Sequence, residues 1–209
     1  MNYSEIKPLS GTAKKLVVMM HGVGSDGNDL ISLVPYIQNH LSDCHFFSPD
    51  APEAYDMAPF GRQWFSLQDR TPPVILKLAS ANAPAALEMI KSKQAELGLT
   101  NSETILFGFS QGTMMGMYLA LTETQPFAAM IGFSGKLLPP SELKNKKTPF
   151  CIIHGEQDDI VSVEESVYSE EYLKKNNIEY QSLTVPNLTH SIDAHGIEFA
   201  IKFLKKYCY

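Results

Sequence analysis

Short, continuously apolar runs alternate with longer helical stretches along this chain. The apolar runs predict six β-strands, at Leu16–Met20, Cys44–Ser48, Thr104–Phe109, Ala128–Phe133, Phe150–His154 and Tyr180–Val185. The stretches between them predict five helices, at Asp29–Leu41, Val74–Leu97, Gln111–Thr122, Ser162–Lys175 and Ile192–Lys206. Strands that are apolar at every position are buried on both faces, as in a parallel sheet covered by helices. The alternation therefore predicts an α/β fold with right-handed crossovers and a mostly parallel central sheet.

Residues 50–73 interrupt this alternation. The segment carries four prolines and the only tryptophan of the chain, Trp64, flanked by Phe60 and Phe65. Proline disfavours regular structure, whereas the aromatic side chains are too apolar for a plain solvated loop. A long loop with its own apolar surface is often part of a binding site, so we expect these residues to border one. The alternative is that Trp64 simply fills the edge of the core.

Length and composition predict a single-domain protein and argue against nucleic-acid-binding and membrane-spanning classes. A length of 209 residues fits one domain spanning residues 1–209. The net charge of −6 argues against nucleic-acid binding. The three cysteines show neither a disulfide framework nor metal-ligand spacing, which indicates reduced thiols and no metal site. No apolar run approaches the roughly 20 residues of a membrane helix. We expect a cytoplasmic protein without stable membrane insertion.

The motif Gly108-Phe109-Ser110-Gln111-Gly112 places a serine between two glycines, where a predicted strand turns into a predicted helix. Such a turn needs small neighbours, because the serine backbone is strained and the two elements approach closely. The turn lifts the serine oxygen above the sheet and directs the first N–H groups of the helix toward an anion formed beside it. The motif predicts that Ser110 is a nucleophile.

An acid and a histidine follow two other predicted strands. Asp158 and Asp159 come after Phe150–His154, and His190 comes after Tyr180–Val185. In an open parallel sheet, ligands bind beyond the carboxyl ends of the strands, so these side chains are expected at the same edge as the serine. The order serine, acid, histidine is that of α/β-hydrolases. We take Asp158 as the acid, with its neighbour Asp159 as the alternative.

Each of these residue types has a part in acyl transfer. A serine hydroxyl becomes an effective nucleophile when a base, here His190, removes its proton during attack. Asp158 would hold the imidazole in the required tautomer and stabilise its cation. The oxyanion of the tetrahedral intermediate needs fixed donors, and the backbone N–H groups of Val23 and Gln111 are the candidates.

The remaining histidines near these motifs are assigned structural roles. His21 precedes the glycine-rich turn that contains Val23, and His154 ends a buried strand. We expect both to shape turns. His195 lies in the predicted last helix, where a surface or capping role is expected.

With these motifs the chain resembles the phospholipase/carboxylesterase family of α/β-hydrolases, which includes bacterial carboxylesterases and acyl-protein thioesterases. The resemblance spans nearly the whole chain and is carried by the stretches His21–Asp29, Gly61–Leu67, Gly108–Gly112, His154–Asp158 and His190–Ile192. It implies a single-domain α/β-hydrolase fold without a cap domain. It implies that Trp64 and Phe65 lie beside the acyl pocket. It also implies a catalytic triad and two oxyanion donors, which are Ser110, Asp158 and His190 and the N–H groups of Val23 and Gln111.

Two positions depart from the family pattern. Val161 is followed by Ser162, where the family often has proline. Leu188 and Thr189 precede His190, where a glycine is usual just before the histidine. The second departure leaves the path of the loop that carries His190 open, but not the identity of the histidine.

The predicted function is that of a serine carboxylesterase, which cleaves esters of short to medium acyl chains through an acyl-enzyme and needs neither metal nor organic cofactor. An acyl-protein thioesterase or a lysophospholipase is the alternative, and either would need a long apolar channel. An alternative of another class is a catalytically silent hydrolase-like binding protein. The expected partner is a small-molecule ester or thioester, not nucleic acid, and the resemblance makes a homodimer plausible.

Overall fold

The computed structural model describes residues 2–209, which fold around a seven-stranded sheet. The strands in these residues are β1 (Tyr3–Ile6), β2 (Lys15–Met20), β3 (Cys44–Pro49), β4 (Glu53–Ala54), β5 (Arg62–Gln63), β6 (Thr104–Phe109), β7 (Ala129–Phe133), β8 (Phe150–Gly155) and β9 (Tyr180–Val185). The large sheet has the order β1-β3-β2-β6-β7-β8-β9, and β4 and β5 form a separate antiparallel pair. Only β1 runs antiparallel to its neighbour in the large sheet as described.

Helices cover both faces of this sheet. They are α1 (Gly27–Leu30), α2 (Val34–Ile37), α3 (Pro72–Leu97), α4 (Gln111–Thr122), α5 (Glu164–Lys175) and α6 (Ala194–Tyr207). Side chains of α3, α4 and α5 pack on one face, and those of α1, α2 and α6 pack on the other. The predicted α/β class, with a mostly parallel sheet between two helical layers, is confirmed. No helix within residues 2–209 is long and apolar enough to cross a membrane.

The six predicted strands are present, with ends that agree to within one residue, but β1 was not predicted. This short strand of mixed polarity depends on a tertiary partner. Lys93 of α3 is almost fully buried, and its Nζ lies 2.8 Å from Oε2 of Glu5 and 4.7 Å from the ring centroid of Tyr3. Because Glu5 and Lys93 are 88 positions apart, local sequence carries no signal for this pairing.

The prediction of one continuous helix over Asp29–Leu41 is wrong. The structure has the two one-turn helices α1 and α2, joined and followed by short 3₁₀ turns. Pro35 is the physical reason, because proline has no N–H to donate and its ring clashes with the carbonyl one turn earlier. It is accommodated in the first turn of α2, where no intrahelical donor is needed.

The segment 50–73 is more regular than its prolines suggest. It contains the β4–β5 pair, and its last two prolines are the first two residues of α3. Proline is well suited to that position, because the N–H groups of the first helical turn have no partner within the helix. The expectation of an irregular loop throughout these residues is therefore wrong.

Candidate active site

Ser110 lies between β6 and α4 with a backbone φ of 53° and ψ of −115°. Few side-chain-bearing residues adopt this positive φ, and the conformation is held by a hydrogen bond of 2.9 Å from the Ser110 N–H to the Phe133 carbonyl. The flanking glycines are required by packing. A Cβ on Gly112 would lie 1.8 Å from the Met20 carbonyl oxygen, and one on Gly108 would lie 2.5 Å from a backbone nitrogen of α4.

The side chains of Ser110, His190 and Asp158 form a continuous chain of hydrogen bonds. Ser110 Oγ lies 3.0 Å from His190 Nε2. On the other side of the ring, His190 Nδ1 lies 2.8 Å from Asp158 Oδ2 and 3.0 Å from Oδ1. The alternative acid, Asp159, is exposed and makes no contact with the histidine. The structure thus brings together the three side chains that the sequence singled out.

The Asp158 carboxylate is fully buried but well supplied with donors. Its Oδ1 accepts the N–H groups of Ile160 at 3.0 Å and Val161 at 2.9 Å. Burial by itself raises the pKa of a carboxyl group, but here the hydrogen bonds from Val161, His190 and Ile160 outweigh burial. The pKa of Asp158 is therefore lowered, and the group is a stable anion beside the imidazole.

A second histidine contacts the same carboxylate. His154, at the end of β8, places Nε2 at 2.7 Å from the Val161 carbonyl oxygen and 3.3 Å from Asp158 Oδ2. Its Nδ1 is buried and has no hydrogen-bond partner within residues 2–209. This contact was missed by the sequence analysis, although a histidine four positions before the acid offered the signal.

The loop carrying His190 packs directly against the end of β8. A Cβ on Gly155 would lie 2.3 Å from the carbonyl oxygen of Leu188 and 2.5 Å from that of Thr189. The Leu188 carbonyl also accepts the N–H of Gln157 at 2.9 Å. Glycine at position 155 therefore lets this loop, which lacks the usual glycine before the histidine, approach closely enough to present His190.

The N–H groups of Val23 and Gln111 are both available for an anion. Gln111 is the first residue of α4, and neither N–H donates a hydrogen bond within the described part of the chain. The turn containing Val23 is fixed by two hydrogen bonds of 2.8 Å with the backbone of Arg62 in β5. A Cβ on Gly22 would lie 3.5 Å from the Cβ of Ser110, so this turn lies against the serine.

Trp64 and Phe65 do not line the site as expected. Both side chains are buried in the core, with 1% and 0% exposure. The indole Nε1–H donates to the His21 carbonyl at 2.9 Å, so the ring is anchored in the core. The prediction that these two residues bind substrate is corrected, because their apolar surface is used in packing.

A cavity of about 160 Å³ opens beside Ser110. Residues 50–73 contribute Leu67 and Arg70 to its lining rather than the aromatic side chains. The other lining residues are Val23, Ile75, Met114, Lys136, Ile160, Val161, Ser162 and Glu165. A second cavity of about 250 Å³ shares Val23, Leu67 and Arg70 with the first. The serine therefore faces a small, largely apolar pocket with charged side chains on its wall.

His21 and His195 have structural partners outside the triad. His21 is fully buried, donates from Nδ1 to the Gly22 carbonyl at 2.7 Å and accepts the Ala51 N–H at Nε2, 3.0 Å away. Burial lowers the pKa of His21, which fits a neutral ring with this tautomer. His195 is exposed and pairs with Asp193, the residue that caps α6. No group of three metal-ligating side chains occurs among residues 2–209.

Comparisons with known proteins show which family the chain resembles. The family model described as Phospholipase/Carboxylesterase matches residues 1–208. Esterase YpfH of Escherichia coli is 27% identical, over 92% of this chain and 83% of its own length. Acyl-protein thioesterase 1 of Emericella nidulans is 29% identical, over 91% of this chain and 89% of its own.

A solved structure shows the same relationship. The crystal structure of esterase PE8 is 34% identical, superimposes with a TM-score of 0.92 and covers 98% of this chain and 97% of its own. The match of the family model over nearly every residue, together with this similarity, identifies the chain as a member of the phospholipase/carboxylesterase family of α/β-hydrolases.

Proposed function

We propose that the protein is a serine carboxylesterase that hydrolyses esters of short to medium acyl chains through an acyl-enzyme. The observation that carries the proposal is the hydrogen-bonded sequence from Ser110 Oγ through His190 to the buried Asp158 carboxylate. It supplies a nucleophile, a base and a fixed anion in one line. Membership of a family of hydrolases agrees with that chemistry.

In acylation, Ser110 Oγ bonds to the carbonyl carbon of the ester while its proton moves to His190 Nε2. The carbonyl oxygen becomes an oxyanion, which the N–H groups of Val23 and Gln111 stabilise. Asp158 stabilises the imidazolium. The bond from carbon to the leaving oxygen then breaks, His190 returns its proton to that oxygen, and an alcohol departs.

In deacylation, a water molecule takes the place of the alcohol. His190 accepts a proton from the water as its oxygen bonds to the acyl carbon, and the same two N–H groups stabilise the second oxyanion. Collapse of this intermediate breaks the bond to Ser110 Oγ, which recovers its proton from His190. A carboxylic acid is released and the enzyme is regenerated.

The size of the cavity supports short to medium acyl chains. With about 160 Å³ beside Ser110, the pocket suits a few methylene groups against its apolar lining. A thioester can follow the same steps with sulfur as the leaving atom. That second candidate is favoured by the acyl-protein thioesterase among the relatives.

The setting proposed for this activity is the cytoplasm, without nucleic-acid partners or stable membrane insertion, and as a homodimer. The free thiols of Cys44, Cys151 and Cys208 support a reducing compartment. The net charge of −6 argues against nucleic acid, and the homodimer rests on family resemblance.

The experiment that tests the proposal is covalent labelling with a fluorophosphonate, combined with turnover of p-nitrophenyl acetate and butyrate. We expect Ser110→Ala to lose the label and to lower kcat by several orders of magnitude. Ser162→Ala is the matched control, because Ser162 lines the same cavity, and it should keep the label. A wild-type protein that takes no label and turns over neither ester would instead be a silent binding protein.

A further inference from the structure

The pocket beside Ser110 has an excess of positive charge, although the chain as a whole carries −6. Arg70 and Lys136 line it, and Glu165 is the one acidic side chain of the lining. A cavity with this balance attracts anions, and its partly enclosed walls strengthen the effect relative to open solvent.

Neither cation is fully engaged by the protein. Arg70 donates no hydrogen bond and forms no ion pair within residues 2–209. The acid next to it in sequence, Asp69, accepts the Thr71 N–H at 2.9 Å instead. Lys136 Nζ lies 3.4 Å from Oε1 of Glu165, longer than the 2.7–2.9 Å of a strong charge-assisted hydrogen bond. Both cations therefore have donors left for a ligand.

Apolar side chains share this cavity with the charges and the nucleophile. Leu67, Ile75, Met114 and Val161 line the same cavity as Ser110. A ligand that suits all of these surfaces has a carbonyl at the serine, methylene groups on the apolar lining and an anion at the cations. Carboxylate matches the planar fork of an arginine side chain and accepts hydrogen bonds from lysine equally well.

We propose that Arg70 and Lys136 form a subsite for a carboxylate at the far end of a short acyl chain, so that the preferred substrates are monoesters of dicarboxylic acids. This inference rests on the proposed esterase function and names its substrate class. The chemical steps are those of the ester hydrolysis described above. Water cleaves the ester bond, one of its protons leaves with the alcohol, and the other is released when the new carboxylic acid ionises to give a dicarboxylate.

The test compares two ethyl esters of equal acyl length, monoethyl glutarate and ethyl pentanoate, which differ by a terminal carboxylate in place of a methyl group. We expect kcat/KM to be about tenfold higher for the glutarate, as for a hydrogen bond to a charged group. Because Arg70 is exposed, added salt should reduce the ratio of the two values. Carboxymethyl pentanoate, with its charge on the alcohol side, should gain no such advantage.

Substitutions identify the groups responsible. Arg70→Gln and Lys136→Met should each lower the glutarate-to-pentanoate ratio by about fivefold or more, and Arg70→Glu should bring it below one. Lys77→Gln is the matched control, because Lys77 is an exposed cation of α3 outside the lining, and it should keep the wild-type ratio.

Three outcomes would overturn the subsite. These are a wild-type ratio at or below one, a ratio that neither Arg70→Gln nor Lys136→Met changes, and a preference for the charge on the alcohol side. In each case ethyl pentanoate is still hydrolysed, so the esterase function stands. If neither ester is hydrolysed and no fluorophosphonate label is taken up, the function itself has failed.

Discussion

The side-chain carbonyl of Gln111 accepts a hydrogen bond of 2.9 Å from the backbone N–H of Trp64. The amide nitrogen of the same side chain donates to the Phe65 carbonyl at 2.6 Å. Gln111, which follows the nucleophile, thus holds the backbone of Trp64 and Phe65. The indole of Trp64 donates to the His21 carbonyl. Trp64 links the nucleophile turn with the residue that precedes the Val23 turn, without entering the cavity.

Trp64→Ala should therefore act on stability and not on acyl selectivity. We expect the free energy of unfolding to fall by about 3–5 kcal/mol, as for other buried aromatic truncations, with a matching fall in Tm. The ratio of kcat/KM for butyrate and acetate esters should stay at its wild-type value.

Leu67→Ala provides the contrast, because Leu67 lines the cavity. Each acyl methylene that loses its contact forfeits up to about 0.8 kcal/mol, so this variant should lower the butyrate-to-acetate ratio. If Trp64→Ala lowered the butyrate-to-acetate ratio without changing Tm, the indole would be part of the acyl pocket after all.

His154→Phe should impair turnover although the ring does not touch Ser110. The substitution keeps an aromatic ring but leaves the partly buried Val161 carbonyl without the donor at 2.7 Å and removes a polar contact with Asp158. An unpaired acceptor costs up to about 1–3 kcal/mol when buried and less when partly exposed, and we expect kcat to fall more than KM changes.

His154→Gln, whose amide can still donate to Val161, should recover part of the loss. His195→Gln is the control at an exposed histidine and should leave kcat and the free energy of unfolding near wild type. Equal damage from the Phe and Gln variants at position 154 would argue that ring shape, rather than the hydrogen bond, is what matters.

His21 should make stability depend on pH. Burial lowers its pKa in the folded protein, so the unfolded chain binds this proton more tightly. Stability from the neutral ring is complete above the unfolded value near 6.5 and is lost as the pH falls below it, by up to about 1.4 kcal/mol per pH unit.

The measurement is the free energy of unfolding between pH 7 and pH 5 by denaturant titration. Wild type should lose stability across this range, and His21→Gln should show a flatter dependence, whereas His195→Gln should keep the wild-type slope. The lowered pKa of Asp158 does not interfere, because its contribution is lost only below its unfolded value near 3.8. A slope unchanged by His21→Gln would contradict this assignment.

Gly61→Ala should disturb the turn that contains Val23. Gly61 has a φ of +83°, and a Cβ there would lie 2.1 Å from the carbonyl oxygen of Gly24. We expect kcat to fall by roughly tenfold or more, because displacing Gly24 moves its neighbour Val23, and loss of one oxyanion donor costs about 10²–10³.

Gly11→Ala is the matched control, since Gly11 has a φ of +80° with nothing within 4 Å of an added Cβ. It should show only the roughly 1–2 kcal/mol backbone cost in unfolding experiments, with normal kcat. Equal effects on kcat from both variants would mean that backbone strain, and not the contact with Gly24, is responsible.

The sequence predicted what depends on local pattern and missed what depends on distant partners. The five strands β2, β3, β6, β7 and β8 were recognised because burial makes their sequences largely apolar, whereas β9 is half-buried and polar at three of its six positions. β1 was missed because it depends on Lys93, a residue of α3. The apolar surface of Trp64 suits a pocket and a core equally well, so only its hydrogen bonds to Gln111 and His21 decide between them.

The order of the strands makes reactivity depend on the edge of the sheet. Ser110 follows β6 in the middle of the sheet, whereas His190 follows β9, an edge strand that pairs only with β8 within the described sheet. In a refolding chain whose β9 has not yet paired with β8, Ser110 lacks its base, His190. Recovery of hydrolysis therefore reports the docking of β9 onto the sheet. Local fraying of this edge would separate His190 from Ser110 while the centre of the sheet stays intact, so we expect activity to be lost before the protein unfolds.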